Sequence, residues 1–162
     1  MMDAGKGLRS YRDLRVWQEA IKLVEIIYDL CKSMPQEERY GLCSQMQRAA
    51  VSVPANIAEG YERDHRKEYI HHLSISRGSL AELETHLIIA QRLGFLSREN
   101  VLKGWQQSRV VGRILRGLIA SLKDRSGSSR PFPAPSPEPP DPQSKAAGTK
   151  PRRPTGSGRQ KE

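Results

Sequence analysis

The chain has 162 residues, 36% hydrophobic, 6% aromatic and 28% charged, with a formal net charge of +9. So few aromatic and β-branched residues disfavour an all-β sandwich, and without even ten consecutive apolar residues no segment can span a bilayer, which takes about 20. The N-terminal MMDAGKGLRSYRDL lacks the apolar stretch and cleavage site of a secretory signal, so the expected location is cytoplasmic, without membrane association.

Residues 1–12 read as an N-terminal arm and residues 13–124 as one helical domain. Apolar residues there recur at steps of three and four, the period of a helix with one buried stripe. The first stripe is Leu14, Trp17, Ile21, Val24, Tyr28 and Cys31, widened by Ala20, Leu23 and Ile27. Ser10 and Asp13 suggest a capping box at its start, and Met34-Pro35 ends it, because proline pushes the preceding residue out of the α region. The second stripe is Leu42, Met46, Ala49, Val53 and Ile57, behind acidic Glu37 and Glu38 that suit a helix N-terminus. Pro54 falls inside it and removes an amide donor, so a kink or break near Ser52 is expected. The third stripe is Tyr69, Leu73, Ser76, Leu80, Leu83, Leu87 and Ala90, closed by Gly94 in a left-handed cap. Ser97 can cap the fourth, Val101, Trp105, Ser108, Val111, Leu115, Leu118 and Leu122. Four amphipathic helices with short connections predict an all-α, antiparallel up-down four-helix bundle.

Residues 125–162 differ in kind. Nine Pro, six Ser and four Gly make up half of these 38 residues, and eight Lys or Arg against three acids leave a net +5. Such a segment buries too little apolar surface to offset its ordering entropy and is expected to be a disordered basic tail.

Three stretches, YRDLRVWQEA (Tyr11 to Ala20), YGLCSQMQRAAVSVPANIAEGYER (Tyr40 to Arg63) and GSLAELETHLIIAQRLGFL (Gly78 to Leu96), resemble the four-helix-bundle family of proteins encoded in 23S rRNA intervening sequences, the so-called S23 family. VGRILRGLIASL (Val111 to Leu122) is similar to that family's last helix. The resemblance extends more distantly to the accessory variability determinant of diversity-generating retroelements. It implies a homo-oligomer, in the form of a pentameric ring, and association with nucleic acid. For the retroelement relative it implies a reverse transcriptase and its template RNA as partners.

The residues of the longest stretch also have a physical reading. On a continuous helix Ser52, Asn56 and Glu59 share a face beside the small Ala49, Ala55 and Gly60. Small residues let helices approach closely, and the polar ones then need partners across the interface, with Arg48 and Glu82 the candidates. This face reads either as a hydrogen-bond network that fixes packing register or as a ligand or RNA site at Asn56 and Glu59.

Charge placement is the main functional clue. No acidic residue lies between Asn100 and Lys123, yet Lys103, Arg109, Arg113, Arg116 and Lys123 do, more positive charge than the net +4 of residues 1–124. A one-signed stripe beside a buried face suits a phosphate backbone, since fixed cations displace condensed counterions without demanding a particular base. The basic tail would add encounter with RNA or DNA by avidity.

Chemistry is sparsely supported. Cys31 and Cys43 read as reduced core or boundary thiols. His65, His72 and His86 share a heptad phase but stand about 10 and 20 Å apart along one helix, too far to share a metal. Glu82 and Glu84, two apart, face different ways, and GKGLRS lacks the strand and third glycine of a dinucleotide loop. No cofactor, metal site or catalytic residue is expected. The leading expectation is a non-catalytic oligomeric bundle that binds nucleic acid, RNA above all, through the fourth helix; the alternative is a helical protein–protein adaptor or scaffold.

Overall fold

The computed structural model describes residues 10–124; the expected arm up to residue 9 and the tail from 125 onward lie outside the described residues. Four helices make up the fold: α1 (Arg15–Lys32), α2 (Leu42–Tyr61), α3 (Arg66–Arg92) and α4 (Arg98–Asp124). Two 3₁₀ turns, Tyr11–Asp13 and Gln36–Arg39, precede α1 and α2. No strand occurs among the described residues, and no helix there is long and apolar enough to cross a membrane.

Contacts between neighbouring helices run in opposite sequence order. Ser52, Val53 and Asn56 of α2 meet Ser79, Ser76 and His72 of α3. In α3, Leu87, Glu84 and Leu80 meet Gly104, Ser108 and Gly112 of α4. Around the other side, Glu19 of α1 meets Gln107 of α4, while Ile27 and Leu30 meet Gly104. These pairs are antiparallel, as short connections require.

The ends obey local rules. The Glu38 carboxylate accepts the Leu42 amide at 3.0 Å and satisfies one of the four orphan donors that open α2. Gly94 takes φ +76° after α3, and the Phe95 amide turns back to the Ala90 carbonyl at 2.9 Å, the left-handed ending that glycine alone adopts without strain. The Ser97 hydroxyl accepts the Asn100 amide at 3.2 Å and opens α4. Ser10 differs from its expected role: it accepts the Arg12 amide at 3.3 Å and so caps the Tyr11–Asp13 turn, while α1 starts from Leu14 without a side-chain cap.

Two further expectations change. Pro54 does not break α2, which runs unbroken from Leu42 to Tyr61 with Pro54 buried inside it. Its ring is held in the bundle, and extensive packing of α2 on α3 offsets the missing amide bond. In α1 the buried line is Val16, Ala20, Leu23, Ile27 and Leu30, so the expected stripe from Leu14 to Cys31 turns toward one flank and leaves Tyr28 exposed. The apolar arc of α1 is wide enough for either face. The neighbours decide, because Gly104 gives Ile27 and Leu30 room against α4, where an added Cβ would stand 3.2 and 3.4 Å away.

Candidate nucleic-acid interface

The cations of α4 are arranged by helix geometry. At about 100° per residue, Arg113, Arg116 and Lys123 lie roughly 40°, −20° and −40° from Arg109, a band about 80° wide beside the buried face. Arg113 is exposed, and Arg109, Arg116 and Lys123 are half-buried along the flank. Half-burial lets a long basic side chain lay its stem on apolar surface and carry its charge to solvent. Arg116 runs back along the helix, its Nη1 3.4 Å from where a Cβ on Gly112 would sit. Neither Arg113 nor Arg116 has an ion-pair partner among the described residues; Arg109 and Lys123 make further interactions within the protein. Asp124, exposed beside Lys123, ends the band.

Lys103 does not join this group. It stands about 120° from Arg109 around the helix, with its ammonium 3.7 Å from Glu99. Helical spacing in the sequence already groups Arg109, Arg113, Arg116 and Lys123, and only the count of charges joins Lys103 to them.

A different arrangement occupies the α2–α3 seam. The Asn56 amide donates to the Ser52 carbonyl at 2.9 Å and to the Ser52 hydroxyl at 3.1 Å, so its oxygen faces His72 Nδ1 at 3.2 Å. That oxygen can only accept, which places the imidazole proton on Nδ1. The Ser52 hydroxyl lies 2.9 Å from that of Ser79, which in turn donates to the Ile75 carbonyl at 3.2 Å. The donors therefore run one way, from His72 through Asn56 and Ser52 to Ser79, and each hydroxyl proton is used once. One turn on, Ser76 donates to the Val53 carbonyl at 2.9 Å.

Gly60 belongs to the same seam: a Cβ there would stand 2.7 Å from His72 Cβ and 2.9 Å from the Tyr69 ring. Glu59 is exposed, pairs with Arg63 and comes within 3.8 Å of His72 Nε2. Arg48 and Glu82, expected in the network, are not in it. Both are exposed and flank Ser52 along a surface groove, because Ser79, one turn before Glu82, reaches Ser52 with a short hydroxyl and leaves the charged groups in water. His72 and Ser79 were the partners that sequence reasoning missed. The only signal for them was small polar residues at helical spacing inside the apolar pattern of α3.

Other polar contacts tie α4 to its neighbours. Ser108, fully buried, donates to Glu84 at 2.6 Å, and Gln107 donates to the Glu19 carbonyl and carboxylate at 2.9 and 2.8 Å. Hydrogen bonds from Lys22 and then Gln107 hold the Glu19 carboxyl below its usual range. Burial pushes the Tyr69 phenol up to about 12, with Tyr61 edge-on at 6.2 Å. Among the described residues no group of three His, Cys, Asp or Glu side chains is placed to hold a metal ion.

The 23S rRNA-intervening sequence protein family model matches residues 12–117, from the first 3₁₀ turn into the last turns of α4. Among solved structures, the chain is similar to a protein of unknown function from the S23 ribosomal protein family of Bacteroides thetaiotaomicron. The TM-score is 0.60 at 24% identity, and the match covers 64% of this chain and 97% of that one. That likeness is one of fold. No curated protein matches the chain. A family match across all four helices, on the bundle built above, gives the conclusion that the chain belongs to the 23S rRNA-intervening sequence protein family.

Proposed function

We propose that the protein is a non-catalytic, homo-oligomeric RNA-binding bundle whose α4 flank lies along the phosphate backbone. One observation carries this reading: Arg109, Arg113, Arg116 and Lys123 share one face of a helix that has no carboxylate between Asn100 and Lys123. A surface that serves only solubility interleaves both signs, whereas along α4 no carboxylate interrupts the cations for about 20 Å of helix. Self-association has its own support in apolar side chains left in water. Ile89 in the last turn of α3 and Leu93 at its C-cap lie one turn apart, and Val51 and Ile75 are exposed on α2 and α3. A pentamer is the form that the family resemblance implies.

The test is binding of labelled RNA by the full chain across a salt series, with the mass from light scattering. Log K should fall linearly with log salt, by about 0.7 per phosphate neutralised on a single strand. The mass should be a multiple of 18.2 kDa, five-fold for the ring. Absence of RNA binding at low salt, with retained capture of a protein partner, would replace the RNA-binding reading by the adaptor reading.

A further inference from the structure

A groove of about 600 Å³ opens between the end of α1 and the start of α2, on a different part of the bundle from the α4 flank. Its floor is sulfur: Cys43 and Met34 are nearly fully buried with their sulfurs 3.5 Å apart, and Cys31 lies beside them. Burial, with the Cys43 thiol next to it, pushes the Cys31 thiol up to about 12, so this floor is neutral and polarisable. Two aromatic rings rise from it into solvent, Tyr28 at 44% and Tyr40 at 88% exposure. The Arg39 guanidinium is 5.9 Å from the centre of the Tyr40 ring and has no ion-pair partner among the described residues.

The residues around this groove include Lys32 and Arg39 but no carboxylate. At the rim, Lys32 reaches outward to Asp29 at 2.7 Å, which leaves Arg39 as the cation nearest the rings. Beyond Tyr28, Ser44 and Gln47 the surface continues into a second groove of about 510 Å³ that adds Arg48 and Glu82.

Tyr40 is not packed in the bundle, and the Arg39 guanidinium is set against its ring. A flat ligand with an attached anion explains the whole set: a π-face for Tyr40 or Tyr28, an apolar floor, amide and hydroxyl groups for polar edges, and a guanidinium for the charge. The volume is that of a small-ligand cleft, about 300–1,000 Å³. We infer that this groove takes an unpaired nucleotide of a single-stranded RNA segment, its base stacked on Tyr40 and Tyr28 and its phosphate paired with Arg39. This rests on the RNA-binding reading and narrows it: the α4 flank serves any backbone, while the groove selects RNA with unstacked bases, since a duplex hides its base faces.

The experiment compares a labelled oligoadenylate with a blunt RNA duplex of equal length on the full chain. Tyr40→Ala is expected to weaken oligoadenylate binding about 5- to 150-fold, the range for losing one base stack, with Tyr28→Ala acting in the same direction. Tyr40→Phe should restore binding, duplex affinity should not change, and the salt slope should stay as in the parent. Tyr40 is exposed enough for these variants to fold, which circular dichroism checks. If both alanine variants bind oligoadenylate like the parent while Arg113→Glu/Arg116→Glu weakens it, the groove assignment falls and the RNA reading stands. Equal losses on duplex and single strand also overturn the groove. If the parent binds neither RNA, both fall together.

Discussion

The α2–α3 seam and the α4 flank are both built from polar residues on helices, yet they do opposite things with them. In the seam, half-buried and buried side chains bond one another and every donor has an assigned acceptor, so the energy is local and depends on geometry. On the flank, long cations stand at a boundary with solvent, where their field reaches a partner over a distance set by salt. The seam specifies how two helices dock, and the flank specifies what the finished bundle attracts. Substitutions should therefore separate: seam changes alter stability at a constant salt slope, and flank changes alter the slope at constant stability.

Gly60→Ala should have the largest effect. Its Cβ would overlap His72 Cβ and the Tyr69 ring, both carried by a packed helix, so α2 and α3 must move apart. The expected loss is about 1–3 kcal/mol, a fall in Tm of several degrees by calorimetry; an unchanged Tm would mean that the seam is not closely packed. Asn56→Ala follows, since it strips His72 Nδ1 and the Ser52 hydroxyl of a partner and should cost about 1–2 kcal/mol in urea unfolding. RNA affinity of the folded variant should stay at the parent value, and a selective loss of binding at full stability would make Asn56 a ligand contact.

Gln107→Ala should have a smaller effect, at the contact where Gln107 joins α4 to α1 through Glu19. The folded Glu19 carboxyl lies below its ordinary value of 4.5, so the stabilisation is present above that pH and is lost as pH falls through the folded value. The variant should lose about 1 kcal/mol at pH 7 and progressively less below pH 4.5 in acid unfolding curves. A deficit independent of pH would show that the amide acts through the Glu19 carbonyl and packing, not through the carboxylate.

Much of the fold was legible in the sequence where one face was unambiguous. In α3 the spaced Leu73, Ser76, Leu80, Leu83, Leu87 and Ala90 are all buried, and the breaks at Gly94 and Ser97 fall where turn chemistry puts them. In α1 apolar residues surround more than one face, so the choice between Trp17–Ile21–Val24 and Ala20–Leu23–Ile27 rests with the neighbours, which periodicity does not contain. Near the end of α4 the same ambiguity put Leu118 and Leu122 in the stripe where Ile119 is the buried residue.

The polar sites divide in the same way. Ser52 and Asn56 were readable as a face because both lie on one helix. Their partners Ser79 and His72 were not, since pairing across a seam depends on a register between two helices. Lys103 is the converse case, near the other cations in number and far from them in angle.

The decisive quantity is the slope of log K against log salt for RNA binding by the parent chain and by Arg113→Glu/Arg116→Glu, with Tm measured on the same samples. On single-stranded RNA the double variant should flatten the slope by about 1.4, at about 0.7 per phosphate contact, while Tm stays within the shift of an ordinary surface change, about ±0.5 kcal/mol. An unchanged slope, or a weakened affinity that merely follows a fall in Tm, would mean that the α4 flank does not contact phosphate.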